Sequence, residues 1–406
     1  MTENNLWHNK TLLAVCLGMI LLMTGVQFPT PILPEFVLAL GVAPAQIGIM
    51  VGLVIAILGV GRVVINLPAG KIARLLGRRP LFIFSLILVT ISALVCGLTT
   101  KYWQLLIFRF FQGLGSAAFV VVAMITIGEI STPSNRGRCM SFFWGSLLIG
   151  TTLGPILGGF VGQYLGYRAP FFFLAGIAFL DTFWAYFCIP ETKGEKLINP
   201  PISNDFQSTK KPIPLHQNLN FILICIISIG NLITVSGQMI LIPLLGYERL
   251  NLTEGEVGFA IAIISAMQFA SVFLAGRLSD KLGRKIIIIP GEIIMVLGLI
   301  LYTQSYNYGL LLFSGAMLGA GRGLSDTVLS AYVVDIASPQ NYEYAVALYR
   351  TASDIGFMAG PIFLGWFKDI KGLNFPFFLI AGIIFGALIP FAILAKEAIA
   401  PKKRGI

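Results

Sequence analysis

Apolar residues run through this chain in long blocks instead of alternating with polar ones at a helical or strand period. Twelve blocks reach about 20 residues or more, the length that hydrocarbon demands of a helix. They fall at about 11–40, 46–70, 79–99, 102–130, 138–164, 168–190, 217–248, 256–279, 285–304, 308–335, 344–368 and 374–396. Polar residues between them are confined to short loops, except at 191–216, where Pro200, Pro201, Pro212 and Pro214 mix with charges of both signs. That is linker composition. The pattern predicts an all-α integral membrane fold of twelve spanning helices. Two six-helix bundles, 1–190 and 217–406, flank a cytoplasmic linker at 191–216. Nothing before Leu12 reads as a cleaved signal, so the first span is expected to be retained.

A repeat supports the division into halves. Gly70-Lys-Ile-Ala-Arg-Leu-Leu-Gly-Arg-Arg79 returns as Gly276-Arg-Leu-Ser-Asp-Lys-Leu-Gly-Arg-Lys285, an offset of 276 − 70 = 206. Glu129-Ile-Ser-Thr-Pro133 returns as Asp335-Ile-Ala-Ser-Pro339, and Gly150-x-x-x-Gly154-Pro155 as Gly356-x-x-x-Gly360-Pro361, both at the same 206. Three motifs sharing one offset mark a duplicated unit, a construction common among membrane transporters.

Composition agrees. Of 406 residues, 56% are hydrophobic and 11% charged, with a mean hydropathy of +0.86, whereas charge in soluble domains runs near a quarter. The net charge of +10 follows topology. With the N-terminus inside, nineteen of the 28 Lys/Arg fall on the inner side: Lys10, four in 71–79, Arg136 and Arg138, four in 193–211, four in 277–285 and four in 396–404. Five fall outside: Lys101, Arg168, Arg249, Lys368 and Lys371. This positive-inside split predicts cytoplasmic termini and a multi-pass protein of the cell membrane. No basic soluble face exists for nucleic acid. No nucleotide-binding glycine–lysine loop or catalytic cluster appears, so neither ATP-driven pumping nor enzyme chemistry is expected. The five cysteines show no metal spacing and read as packing residues. His8 and His216 lie outside the spans, so a proton carrier within the membrane must be a carboxylate.

Ionisable residues inside spans each cost about 2.5 kcal/mol or more at the bilayer centre unless paired or hydrated. They are Arg62, Arg109, Asp181, Glu292, Arg322, Asp326, Arg350 and Asp354, with Glu35 near the end of span one. Arg322/Asp326 and Arg350/Asp354 are each spaced i, i+4 and share a helix face. Pro29, Pro31 and Pro34 break span one beside Gln27, a candidate for the cavity wall and gate. Asn231, Thr234, Ser236 and Gln238 make span seven polar, for lining a cavity or for packing. The remaining lining candidates are apolar, which suits lipophilic solutes better than sugars.

The motifs have their own physics. Gly70, Gly77, Gly276 and Gly283 permit tight turns and close helix approach beside a short loop. Lys281, Arg284 and Lys285 belong at the inner interface, within reach of Asp335. The loop reads as a cytoplasmic latch built from Gly70, Arg74, Arg78, Glu129, Gly276, Asp280, Arg284 and Asp335. Its first copy carries Arg74 where the second has Asp280, predicting an asymmetric latch unless the first loop is merely topological; Glu129 is placed to pair with Arg74 or Arg78. Gly150, Gly154, Pro155, Gly360 and Pro361 read as close packing with kinks, and as a pivot for rocking.

The Gly-x-Leu-x-Asp-Lys-x-Gly-Arg-Lys signature, its degenerate first copy and the duplicated plan resemble the major facilitator superfamily over essentially the whole chain. Arg109-Phe-Phe-Gln-Gly113-Leu-Gly115 agrees, and Gly150-x-x-x-Gly154-Pro155-x-x-Gly158-Gly159 is similar to the span-five motif of proton-driven drug antiporters. Ser141 stands where that motif usually opens with Gly. The resemblance implies alternating access and export by proton exchange, with no cofactor beyond the proton gradient. It also implies that spans one, four, seven and ten line the cavity. Arg109 and Gln112 on span four, and Arg322 and Asp326 on span ten, then fall in the pathway. Asp326 is the expected proton acceptor, tuned by Arg322; Asp354 with Arg350 is the second candidate. Arg109 serves either proton coupling or an anionic substrate. Asp181 and Glu292 fall on outer scaffold helices, either neutral or facing a polar seam. The expected partners are a small-molecule substrate and the lipid bilayer, with the chain a monomer. The competing reading is a facilitator for an organic anion, sugar or other metabolite.

Overall fold

The computed structural model describes residues 9–131, 135–192, 218–336 and 342–397, and every regular element among them is helical. In chain order they are α1 (Lys10–Gln27), α2 (Leu33–Ala39), a 3-10 turn (Pro44–Gln46), α3 (Ile47–Leu76), α4 (Arg78–Leu98), α5 (Tyr102–Ile130), α6 (Arg136–Leu165) and α7 (Ala169–Cys188). After the stretch outside the described residues, which holds most of the expected linker, come α8 (Leu219–Leu250), α9 (Glu254–Leu282), α10 (Arg284–Thr303), α11 (Tyr308–Ile336), α12 (Tyr342–Lys371) and α13 (Asn374–Leu394). Ten of them are long and apolar enough to cross a membrane. The 29-residue α11 and 30-residue α12 match them in length but carry Arg322, Asp326, Arg350 and Asp354 within the helix.

Local sequence explains the boundaries. The Asn9 side chain accepts the Leu12 amide at 3.1 Å and so caps α1, satisfying one of the donors that a helix start leaves free. Pro29 and Pro31 have no amide to continue that helix. The chain turns at Phe28, whose N–H reaches Gly25 O at 3.1 Å, and restarts as α2 with Pro34 in its first turn. Gly77 and Gly283 join α3 to α4 and α9 to α10 with a single residue each, at φ 106° and 109°.

The chain forms two compact units. Unit 1 holds residues 1–44, 53–203 and 253–262; unit 2 holds 45–52, 204–252 and 263–406. In unit 1, α1 packs on α6 and α7, and α4 on α5 and α7. Unit 2 repeats the scheme, with α8 on α12 and α13, and α10 on α11 and α13. The first core gathers Met19, Leu22, Phe82, Phe119 and Phe143; the second gathers Ile224, Ile288, Leu329, Tyr332 and Phe391. Phe84, Phe187, Phe273 and Ile393 are exposed. In a hydrocarbon solvent such residues carry no penalty, so shape and polar contacts decide which faces turn inward.

Small residues supply that shape. A Cβ on Gly150 would lie 2.8 Å from Ile20 O, and one on Gly154 2.6 Å from Thr24 O, so α6 and α1 meet backbone to backbone. Gly356 meets Ile229 O at 2.4 Å and Gly360 meets Ile233 Cα at 3.0 Å, giving α12 and α8 the same seam. These seams lie inside the units. The helices also contain Pro155 and Pro361, whose carbonyls would touch a Cβ on Gly258 at 2.1 Å and on Gly52 at 2.3 Å.

Candidate functional site

The polar residues of unit 2 converge on Asn231. Gly291 on α10 and Gly321 on α11 bring those helices together: a Cβ on Gly321 would lie 2.5 Å from Gly291 O. The next residue, Glu292, is 0% exposed and reaches across α10 to α11, where the hydroxyl of Ser325 donates to its Oε1. Asn231 Nδ2 on α8 donates both to Glu292 Oε1 and to Asp326 Oδ1, each at 2.9 Å. Asp326 Oδ2 faces Arg322 Nε at 3.6 Å, an ion pair longer than a hydrogen bond. Arg322 Nη1 donates to Gln238 Oε1 at 3.4 Å. The Asp326 side chain keeps 27% exposure, so one acid of the pair is open and the other sealed. Three polar atoms of the cluster have no hydrogen-bond partner among the described residues: Glu292 Oε2, Asn231 Oδ1 and Arg322 Nε.

Arg322, Asp326, Asn231 and Gln238, four residues expected from the sequence at a transport site, are therefore joined in one network. Glu292 and Ser325 are the additions. Glu292 lies on the ninth span, α10, as expected, and the close α10–α11 approach sets it in the polar cluster. Arg350 lies exposed and Asp354 half-buried on α12.

Unit 1 holds a different arrangement. Arg109 and Gln112, both buried on α5, are joined from Nη1 to Oε1 at 3.1 Å, and the guanidinium lies 5.0 Å from the Phe171 ring centroid. Arg109 Nε and Gln112 Nε2 find no partner among the described residues. Asp181 on α7 is wholly buried against Gly18, and neither of its oxygens meets a donor there. Gln27, expected at a cavity wall, ends α1 and accepts the Thr30 hydroxyl at 3.1 Å, its Cβ against Gly154.

The two glycine–arginine loops are built alike. In unit 1, Arg78 Nε donates to Glu129 Oε1 at 3.1 Å and Nη1 to Ala73 O at 2.8 Å, while Glu191 accepts the amides of Arg78 and Arg79 at 2.9 and 3.1 Å. In unit 2, Arg284 Nε donates to Asp335 Oδ2 at 2.8 Å and Nη1 to Ser279 Oγ at 2.7 Å. Glu397 accepts the amides of Arg284 and Lys285 at 2.7 and 3.1 Å. Glu129 thus takes Arg78, and Arg74 is exposed in the last turn of α3. Each pair joins helices of one unit and fixes the loop to its own bundle. The Asp280 side chain lies outside the described residues. Gly70 and Gly276 sit inside helices, away from the turns at Gly77 and Gly283, with no described atom within 4 Å of a Cβ placed there. Glu191 and Glu397 went unread in the sequence, although 397 − 191 is again 206.

The family profile described as Major Facilitator Superfamily matches residues 15–230 and 224–405. An uncharacterized MFS-type transporter of Methanocaldococcus jannaschii is 27% identical over 373 residues, covering 90% of this chain and 94% of that protein. Multidrug resistance protein 2 of Bacillus subtilis is 24% identical over 403 residues, 96% of each. Among solved structures, a bacterial homolog of the human lysosomal transporter Spinster, inward-facing and unoccupied, aligns over 96% of both chains with a TM-score of 0.80 at 13% identity. That likeness is one of fold.

Proposed function

The chain belongs to the major facilitator superfamily, and from there we propose that this transporter is a proton-coupled antiporter exporting lipophilic or amphiphilic small molecules by alternating access. The observation that carries the reading is the Asn231–Glu292–Asp326 cluster. Two carboxyl groups and one guanidinium sit together within a helical core where each isolated charge is costly, and one of the acids retains exposed surface. A group that must gain and lose a proton as its surroundings change needs that arrangement. Multidrug resistance protein 2, similar over the full length, and the Gly150–Gly159 motif favour export of apolar solutes. We place the protein in the cell membrane as a monomer, with both termini cytoplasmic, and assign it no cofactor beyond the proton gradient.

The test is reconstitution into proteoliposomes with ethidium, a lipophilic cation, as probe. An imposed pH gradient drives ethidium movement in the wild type, and Asp326→Asn abolishes the response while the protein stays folded. Ethidium movement at the same rate with and without the gradient removes antiport. One observation favours a second reading: Arg109 is buried with Gln112 and an aromatic ring as its described partners, and a substrate carboxylate would complete it. Under that reading an organic anion competes with transport, and Arg109→Gln removes the competition.

A further inference from the structure

Glu292 and Asp326 share one bridging amide but not the same surroundings. Asp326 has a cation beside it: Oδ1 accepts from Asn231, and Oδ2 lies 3.6 Å from Arg322 Nε, an ion pair without a hydrogen bond, on a side chain that keeps exposed surface. Glu292 Oε1 accepts from Asn231 and Ser325, while Oε2 is sealed from solvent with no donor beside it. An ionised carboxylate offers about four lone-pair sites and gains nothing from burying an unbonded charged oxygen. The charge count agrees. With both acids ionised the cluster carries two negative charges against the single positive charge of Arg322, and one added proton makes it neutral. Asn231 donates one N–H to each acid, so it does not select between them. Arg322 does, because it faces Asp326. Tyr349 on α12, hydrogen-bonded to Ser228, is another titratable group near both acids among the described residues; it adds no positive charge.

We propose, building on the antiport reading, that the exchanged proton resides on Oε2 of Glu292, with Asp326 as its ionised neighbour and Asn231 as the bridge. The hydrogen-bond geometry selects the acid that the sequence placed on a scaffold helix. Release is a deprotonation: the O–H bond at Oε2 breaks, its electron pair stays on Glu292, and the proton leaves past Asp326, the member of the pair with exposed surface. The carboxylate left behind then requires a positive partner, supplied by Arg322 swinging from its long pairing with Asp326 or by an organic cation. Proton and cationic substrate thereby compete for one negative charge, which is what exchange requires.

Infrared difference spectroscopy of the purified full chain after transfer to deuterated water, with glutamate side-chain carboxyls carrying carbon-13, reads this proton directly. The expected result is a buried carboxylic-acid carbonyl band moved down by the glutamate label and lost in Glu292→Gln. Glu292→Asp keeps the acid and takes its band out of the labelled set, which serves should the glutamine variant fail to fold. Absence of a labelled buried-acid band, or its survival in both variants, overturns the proposal. In proteoliposomes, Glu292→Gln is expected to move ethidium down its own gradient and lose the response to a pH gradient. If the wild type itself does not respond, antiport falls; if the wild type responds and Glu292→Gln responds equally, the assignment of the proton falls alone.

Discussion

The carboxylate of Glu397 closes the first turn of α10 through the Arg284 amide, at 2.7 Å. At the same place in the first half, Glu191 accepts the Arg78 amide at 2.9 Å and opens α4 in the same way. Neither helix has a side-chain cap from the residue before it, because that residue is Gly77 or Gly283. A distant acid therefore fills the role usually taken by a neighbouring Ser or Asp. Its negative charge also lies at the positive end of the helix dipole.

Replacing either acid removes the cap and the charge together. Glu191→Ala and Glu397→Ala are each expected to lower stability by about 1 kcal/mol. The glutamine variants, which keep an acceptor oxygen but no charge, should lose less. The apparent midpoint of thermal unfolding in detergent is the readout. Because the two caps sit in separate units, the double variant should show the sum of the single losses. A loss much larger than the sum would mean that the two ends are coupled.

The four motif glycines divide into two pairs with opposite expected signs. Gly77 and Gly283 combine φ 106° and 109° with ψ 166° and 156°, a region essentially closed to other residues. Alanine there should destabilise by roughly 1–3 kcal/mol. Gly70 and Gly276 lie in helices with nothing described near a built Cβ. Alanine at either should raise stability by up to about 1 kcal/mol through the helical preference alone. Thermal unfolding of the four single variants separates the pairs, and a loss at Gly70 or Gly276 would contradict the open space seen there.

Much of the fold is visible in the apolar blocks because hydrocarbon imposes one length on every helix. The block at 285–304 became α10 with a one-residue shift. That at 46–70 became α3, which runs on to Leu76 because a helix emerging into water has no reason to stop where its apolar residues do. The block at 11–40 broke at Phe28–Ile32, where prolines withhold amides. Within the site, Arg322 and Asp326 were legible from their i, i+4 spacing. Glu292 was not, since its direction depends on Gly291 and Gly321 letting two helices touch, a tertiary fact with no local period. Glu191 and Glu397 were legible in principle: their offset of 206 was in the sequence, but no motif surrounded them to draw attention.

Arg78 and Glu129 are about a tenth exposed, and Arg78 also donates to Ala73 O. Lysine supplies the charge but not the planar fork that reaches both acceptors. Arg78→Lys should therefore destabilise by about 1–3 kcal/mol, the cost of leaving buried polar groups unpaired. Glu129→Gln should cost less in that background than alone, since the arginine fork is already gone and the amide oxygen can still accept the Thr192 hydroxyl. A double-mutant cycle on unfolding midpoints measures the coupling. Additive losses would show that the pair contributes only its separate solvation terms.

Asp181 makes the sharpest contrast between stability and function. It is fully buried on α7 beside Gly18, and neither carboxyl oxygen meets a donor among the described residues. A polar group buried without a partner costs roughly 1–3 kcal/mol by mutational measures. Removing it should return part of that cost, less a small cavity term. Asp181→Ala is thus expected to unfold at the same temperature as the wild type or higher, whereas a structurally engaged acid would lose stability on truncation. The second readout is ethidium transport under a pH gradient. An intramembrane acid kept at a stability cost is a functional group by default, so the variant should be at least as stable as the wild type and less active. Unchanged transport in a stabilised protein would reduce Asp181 to a tolerated defect of packing.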